Sequence, residues 1–269
     1  MRIDIKSYAQ ELKQELRYRV ITSTAPYPQL LIVQIGDNPA SNSYVKGKLK
    51  DAGEIMVKAD WAKFNNYNSA YNYISKLGYQ YHGIILQEPS GLSNAERTQI
   101  LNLIEPGQDV DGFKLTSPYT PCTPAAIMDI ITHFYNNDRT DLKGTVVTVV
   151  GRGELVGKPL IPLLVAAGAT VICCNSTTPD LKQFTSVADI VVSATGKPML
   201  ITRDMLKDGA FVVDAGIYVD ENGKLHGDCD KAMYDDPNIQ ITTVPGGVGL
   251  MTRVHLMKNV EKSRKDNLC

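Results

Sequence analysis

A tyrosine and a lysine four residues apart, Tyr44 and Lys48, follow the pair Asn38-Pro39, which reads as a helix cap and a first helical residue. Side chains four apart on a helix share one face, whereas Lys46 and Lys50 point elsewhere. A lysine held in a cleft can give up its proton, because burial disfavours the charged form, and it can then serve as a base. The spacing alone also fits a solvated helix face. A second chemical signal is Gly151-Arg-Gly-Glu-Leu-Val-Gly157, placed directly after an apolar run and opening a helical pattern. Glycines there allow a tight turn and let phosphates approach the backbone. The helix start offers free N–H groups and a partial positive charge. This is the chemistry of dinucleotide binding, although GxGxxxG is one residue longer than the usual fingerprint and also fits a plain glycine turn.

The same region bears on the choice of dinucleotide. NAD sites usually carry Asp or Glu at the end of the second strand, bonding the ribose hydroxyl. Here that strand ends Cys174-Asn175-Ser176-Thr177, with no carboxylate to repel a 2′-phosphate. Arg152 in the glycine loop can supply the opposing charge. Both features favour NADP over NAD. Arg152 as a solvated surface residue, and Asn175 and Ser176 as turn caps, are the alternatives that these residues leave open.

The elements that must position these groups alternate between short apolar runs and helical periods. Ile5, Tyr8, Leu12, Leu16 and Val20 give a helix over 4–21. The runs 29–36 and 82–87 read as strands buried on both faces, with a helix from Pro39 between them and another over 93–104. A helix over 124–137 leads to the polar stretch 136–141, where a domain boundary is expected. Strands at 144–151, 169–174, 188–196 and 210–214, with a helix over 156–167, repeat the rhythm of parallel βαβ units. The fold expected is α/β with two domains. An N-terminal α/β catalytic domain (1–138 and 250–269) adjoins a Rossmann-type parallel-sheet domain (139–249). A last helix near 251–262 returns to the first domain.

Bulk properties exclude several classes. The chain has 269 residues, 43% hydrophobic and 21% charged, with a formal net charge of −1. This is an ordinary globular composition, without the basic excess of a nucleic-acid binder. No apolar run reaches the roughly 20 residues needed to span a bilayer, and the charged N-terminal pattern carries no leader signal. A cytoplasmic protein with reduced thiols at Cys122, Cys173, Cys174, Cys229 and Cys269 is expected. His82, His133, His226 and His255 form no ligand motif, so no metal is expected.

Six motifs then occur in one order. The stretch Gly36-Asp-Asn-Pro-Ala-Ser-Asn-Ser-Tyr-Val-Lys-Gly-Lys48 closely resembles the active-site segment of bifunctional methylenetetrahydrofolate dehydrogenase/cyclohydrolases. Gly83-Ile-Ile-Leu-Gln87, Asp109-Val-Asp-Gly112 and Pro121-Cys-Thr-Pro124 resemble the family's glutamine strand, its pterin-site motif and the start of its interdomain helix. Val149-Val-Gly-Arg152 with Val156-Gly-Lys-Pro159 resembles the cofactor loop, and Pro245-Gly-Gly-Val-Gly249 with Met251-Thr252 the loop beside nicotinamide.

The resemblance implies oxidation of 5,10-methylenetetrahydrofolate with NADP, then hydrolysis of the methenyl product to 10-formyltetrahydrofolate. It implies Lys48 as the central catalytic residue, Tyr44 orienting it, Gln87 bonding it and Asp111 on the pterin. All four also count as substrate-binding, together with Pro245, Gly246 and Gly247. Gly151, Arg152, Gly153, Val156, Gly157, Ser176, Thr195, Gly196, Gly216 and Ile217 would hold NADP. Tetrahydrofolate derivatives and a second copy of the chain, in a homodimer, are the partners implied.

Lys48 is expected to have a lowered pKa, since a charged lysine is a poor base and repels the methenyl cation. Several positions depart from the family pattern. Glu88-Pro89-Ser90-Gly91 stands where Leu-Pro-Leu-Pro is usual, Gly153 replaces a serine, Asn175 a histidine and Leu250 a proline. Gly53 lies inside the catalytic helix, and Met56 stands where a glycine should end it. A divergent folate- or nucleotide-binding protein with weak or single activity is the competing reading.

Overall fold

The computed structural model describes residues 1–266. Cys269 and the end of the expected 250–269 segment lie outside the described residues. The chain falls into two compact units. One is Gln10–Cys122 with the chain from Arg253 on, and the other is Met1–Ala9 with Thr123–Thr252. In chain order the elements are α1 (Ile5–Thr22), β1 (Gln29–Ile35), α2 (Pro39–Glu54), β2 (Lys58–Phe64), α3 (Tyr67–Leu77), β3 (Gly83–Leu86), α4 (Asn94–Leu103) and α5 (Cys122–Ile130). There follow β4 (Val146–Val150), α6 (Gly157–Ala166), β5 (Thr170–Cys174), α7 (Lys182–Thr185), β6 (Ile190–Ser193), β7 (Phe211–Asp214), β8 (Tyr218–Val219), β9 (Leu225–His226), β10 (Gln240–Ile241) and α8 (Val248–Asp266).

The first unit is built on a parallel sheet in the order β2-β1-β3. β1 is the middle strand and is buried from Leu30 to Ile35, which explains its uninterrupted apolar run. β2 escapes a pattern search because it is an edge strand. Its side chains are half-exposed, so Lys58-Ala-Asp-Trp-Ala-Lys-Phe64 carries no apolar run, and pairing with β1 recruits it. α3, by contrast, carries a legible signal. Tyr67, Ala70, Tyr71 and Ile74 fall at helical spacing, and the Asn66 side chain caps the helix by accepting from the Ser69 N–H at 3.0 Å.

α2 begins as its sequence dictates. The Asn38 carboxamide accepts from the N–H groups of Ala40 and Ser41 at 2.9 and 3.1 Å, with Pro39 at the first helical position. Its inner face buries Val45, Lys48, Asp51 and Ala52. It ends in a Schellman arrangement, with Val57 N–H donating to the Ala52 carbonyl at 2.9 Å and Met56 N–H to that of Gly53 at 3.4 Å. Met56 occupies the left-handed position of this motif at φ 67°, where a β-carbon is strained.

The second unit carries a wholly parallel sheet in the order β10-β7-β6-β4-β5. The strand order reverses between β4 and β6, which sets a topological switch point there. Its core joins Val150, Val191, Val212 and Ile241 to Ile201, Met233 and Ile239. The N-terminal residues extend the β10 edge through a parallel bridge between Arg2 and Ile241.

The expected domain boundary at 138/139 lies one helix after the division found in the structure. α5 passes into a π-helical turn over Ile131–Tyr135, and Tyr135 packs its ring 5.6 Å from Phe211 of β7. Tyr8 stacks on His133 at 3.8 Å. These contacts place 123–135 with the second sheet. The short hairpin of β8 and β9 was also not anticipated; two-residue strands are too brief to leave a period. Among the described residues no helix is long and apolar enough to cross a membrane.

Two substitutions should stabilise the end of α2. Gly53 has open space where a β-carbon would lie, so Gly53→Ala is expected to add roughly 0.5–1 kcal/mol. Met56→Gly removes a left-handed β-carbon and should add about 1 kcal/mol. Urea unfolding of the two variants measures this, and a lower midpoint for either would contradict the assignment.

Candidate active site

The first unit gathers one cluster of polar groups around a buried lysine. Lys48 is only 5% exposed. Its ammonium donates to Gln87 Oε1 at 3.0 Å and sits 5.3 Å from the centre of the Tyr44 ring. α2 places Tyr44 and Lys48 on one face, and Gln87 directly follows β3, so the sheet delivers the acceptor. Gln87 Nε2 donates to the Glu88 carbonyl at 2.6 Å, which fixes the amide with its oxygen toward the lysine.

Asp111 comes from the turn after Val110. The turn is braced by Asp109, whose carboxylate accepts from the Lys114 N–H at 2.8 Å. The Cys122 thiol, at the start of α5, donates to the Val110 carbonyl at 3.2 Å. Asn259 of α8 donates to the same carbonyl at 2.8 Å.

Burial dominates the electrostatics. It pulls the Lys48 pKa down, while the charge of Asp111 acts in the opposite sense. It pushes Asp111 up, with Lys48 opposing. The Tyr44 hydroxyl is pushed up to about 12 by burial, and Cys122 is driven well above its usual range by the same cause. Tyr44 and Cys122 therefore stay neutral at physiological pH. Lys48 and Asp111 are the groups of the cluster that burial shifts toward their neutral forms while each opposes the other's shift.

Glu88, the charge expected beside this cluster, is neutralised locally. Its carboxylate accepts from Arg97 Nε at 2.8 Å and from the Ser90 N–H at 2.7 Å. It makes no ion pair with Lys48.

The second unit gathers the glycine-loop residues at the switch point of its sheet. A β-carbon on Gly157 would overlap the Gly151 carbonyl, and one on Gly151 would meet the Ala194 carbonyl at 2.5 Å. The loop after β4 is thus folded tightly over the start of α6 and against the end of β6. A β-carbon on Gly196 would lie 3.3 Å from the Ile217 carbonyl, so Thr195-Gly196 and Gly216-Ile217 converge there as well. Val156 caps α6 without a side-chain bond; Lys158 N–H donates to the Gly153 carbonyl at 3.1 Å and Pro159 has no N–H, so Gly157 offers the helix-start N–H to a ligand. This cradle of bare backbone fits a pyrophosphate. Arg152 and Ser176 are exposed. Asn175 folds its carboxamide back onto the Thr177 N–H at 2.8 Å as a turn cap. Gly153 has nothing within 4 Å of a built β-carbon. Pro245, Gly246 and Gly247 lie in the loop before α8, in the unit that holds the glycine loop.

Two carboxylates escaped the sequence reading. Asp214 ends β7 and is fully buried. It accepts from the N–H groups of Gly216, Asp228 and Cys229 at 3.1, 3.0 and 2.9 Å. Asp228, equally buried, accepts from the Ser193 hydroxyl and the Thr195 N–H, both at 2.7 Å. Together they lock the loops after β6 and β7 into place. The available signal was Asp214 at the C-terminal end of a strand in a parallel sheet.

Comparisons with known proteins agree with both halves. Residues 3–111 match the family described as tetrahydrofolate dehydrogenase/cyclohydrolase, catalytic domain, and residues 121–268 its NAD(P)-binding domain. The chain is 38% identical to the bifunctional protein FolD of Dechloromonas aromatica, over 96% of this chain and 94% of that protein. The FolD of Bacillus subtilis is 36% identical over 99% and 98%. The crystal structure of the bifunctional FolD enzyme of Campylobacter jejuni superposes with a TM-score of 0.89 at 33% identity, covering 99% of both chains. That of Trypanosoma brucei FolD, complexed with NADP cofactor and inhibitor, gives 0.90 at 27% identity over 100% of this chain and 98% of that one.

Opposite outcomes are expected at two loop glycines. Gly157→Ala forces the Gly151 carbonyl aside and should weaken NADP binding at least tenfold, a loss of about 1.4 kcal/mol. Gly153→Ser fits in open space and adds a donor, so binding should hold or tighten. Calorimetric titration of NADP distinguishes the two, and equal losses would contradict the cradle.

Proposed function

The chain belongs to the tetrahydrofolate dehydrogenase/cyclohydrolase family, and we propose that it performs both of that family's reactions on one folate site organised around Lys48. 5,10-Methylenetetrahydrofolate is oxidised to the methenyl form, which water then opens to 10-formyltetrahydrofolate. The observation that carries this reading is the buried Lys48 ammonium paired with the neutral oxygen of Gln87.

NADP, when bound, supplies the acceptor for the hydride that leaves the methylene carbon. The backbone of Gly151, Gly153, Val156 and Gly157 at the start of α6 would hold its phosphates. Thr195, Gly196, Gly216 and Ile217 would line it, with Ser176 and Arg152 toward the 2′-phosphate. β5 ends without a carboxylate, which supports NADP over NAD. NADP is also the cofactor in the similar Trypanosoma brucei structure.

The protein's own part in oxidation is alignment. The nitrogen lone pairs of the folate stabilise the N–C–N cation themselves, so little acid–base help is needed. Tyr44 offers a ring face to the substrate, and Asp111 accepts from pterin N–H groups. Hydrolysis asks more. Water attacking the methenyl carbon must lose a proton, and Lys48 in its neutral form takes it. Because burial lowers the Lys48 pKa, the neutral amine is more abundant at a given pH than for an exposed lysine. Hydrolysis therefore rises with pH through that lowered value. Gln87, bonding the lysine as acceptor only, holds Nζ in place without contributing a negative charge.

Family resemblance extends the reading to a cytoplasmic homodimer.

Spectroscopic assays test the proposal, following methenyl and 10-formyl products with NADP and then with NAD. Lys48→Met should lower hydrolysis by about 10²–10⁴-fold while folate binding persists; retained hydrolysis would remove Lys48 from its role. Arg152→Ala should raise the KM for NADP by roughly tenfold or more, the cost of a charged hydrogen bond, and leave that for NAD unchanged. Equal effects on the two would show that Arg152 does not read the 2′-phosphate.

A further inference from the structure

The face of α2 that carries Lys48 also carries an ion pair that the reaction above does not use. Asp51, one turn beyond Lys48, is 3% exposed. Its carboxylate accepts from Arg253 Nε of α8 on one oxygen and from Lys13 Nζ of α1 at 3.1 Å on the other. Lys13 also pairs with Glu54. The Arg253 guanidinium lies flat over Gly47, the residue next to Lys48, where a β-carbon would stand 3.3 Å from Cζ and Nη1. Its side chain is only 18% exposed. Gly47 is thus the gap that lets a cation approach the backbone immediately beside the reactive lysine.

The pair is polarised with respect to the site. Toward Lys48 it is Arg253 that acts; toward Tyr44 both ends act, in opposite senses, and the Asp51 oxygens are held by Arg253 and Lys13. The remaining charged or titratable groups facing Lys48 are Tyr44 from its own helix, Asp111 from the turn after Val110 and Cys122 from the start of α5. Asp109 and Glu88 act one step removed, through Asp111.

We propose that Arg253, clamped by Asp51 over Gly47, is a positioning residue of the hydrolytic site that sets a fixed positive charge behind Lys48. This rests on Lys48 being the base for hydrolysis. A cation at that place disfavours a second cation on Nζ and so enlarges the fraction of lysine able to accept a proton. It counters Asp111, whose charge pulls the other way. In this role Arg253 acts through Lys48 and not on the reacting atoms. Arginine suits the task because its own charge does not titrate in the working range.

The test is the pH profile of 5,10-methenyltetrahydrofolate hydrolysis, corrected for the uncatalysed rate, in variants that change one charge each. Arg253→Gln should move the midpoint of the rising limb up by on the order of half a pH unit, because the cation is removed while Asp51 remains. Asp51→Asn, which frees Arg253 of its partner, should move it down by a similar amount. Arg253→Lys should leave the midpoint in place. A helix that is merely loosened would lose rate or thermal stability in both variants without moving the midpoints in opposite directions. The double variant Asp51→Ala with Arg253→Val guards against misfolding from a lone charge and should fall between the two single variants.

Opposite shifts with an unmoved Arg253→Lys profile support the proposal; shifts of one sign, or none, overturn it. Lys48→Met measured in parallel separates the two failures. If that variant still hydrolyses, the base itself is misassigned. If it does not and the profiles stay fixed, the fault lies with Arg253 alone.

Discussion

A lysine inside a protein must be either paired with an anion or relieved of its charge. Lys48 meets a neutral amide. Its hydrogen bond runs to Gln87 Oε1 at 3.0 Å, and among the described residues no carboxylate forms an ion pair with it. That single absence of a salt bridge governs the surrounding structure. A direct carboxylate partner would stabilise the ammonium and oppose the role as base proposed for it. The nearby acids are each answered by something else instead. Glu88 is held by Arg97 at 2.8 Å, Asp51 by Lys13 at 3.1 Å and by Arg253, and Asp109 by the Lys114 N–H at 2.8 Å. Asp111 approaches the lysine most closely in effect, and burial raises its own pKa, which blunts the charge it presents.

The departure at Glu88 is intelligible in these terms. A glutamate replacing an apolar residue beside the buried lysine reads, in sequence, as a disturbance of the site. In the fold it arrives with a cation. Arg97 comes from α4, nine residues on, and its guanidinium also lies 5.5 Å from the Phe113 ring. The substitution therefore adds a self-contained pair at the edge of the cluster and leaves the charge felt by Lys48 nearly unchanged. Met56 is the contrasting case. The sequence shows a missing glycine, and the structure shows the position still held at φ 67°, so nothing has compensated.

What was legible and what was not divides along physical lines. The buried middle strand β1, the capped start of α2 and strands β4, β5, β6 and β7 of the second sheet stood out, because burial on both faces imposes apolar runs and caps impose Asn-Pro, whereas the two-residue β10 did not. Tyr44 and Lys48 shared a face by helical arithmetic, whereas Gln87, at the end of a legible strand, was singled out only through the family resemblance. The edge strand β2 did not stand out, because its exposed face removes the pattern. Nor did Asp214 and Asp228, whose partners are backbone N–H groups scattered from Thr195 to Cys229. A carboxylate satisfied by distant backbone leaves no periodic trace. Arg253 and Asp51 were hidden likewise, being two hundred residues apart and joined only by the packing of α8 on α2.

The two reactions make unlike demands on one site. Oxidation leaves a cation spread over two nitrogens and a carbon, a species that any nearby positive charge destabilises. Hydrolysis consumes that cation and needs a base at the same carbon. A protonated lysine fails both demands, since it repels the first product and cannot accept a proton in the second step. A carboxylate base would attract the cation and hold it back from turnover. A lysine whose charge burial disfavours, as proposed for Lys48, would answer both. Its proton affinity must then be set by burial and by charges held a short distance behind it. The acids around Lys48 are accordingly paired away from it, and α2 carries its ion pair on the flank of the lysine.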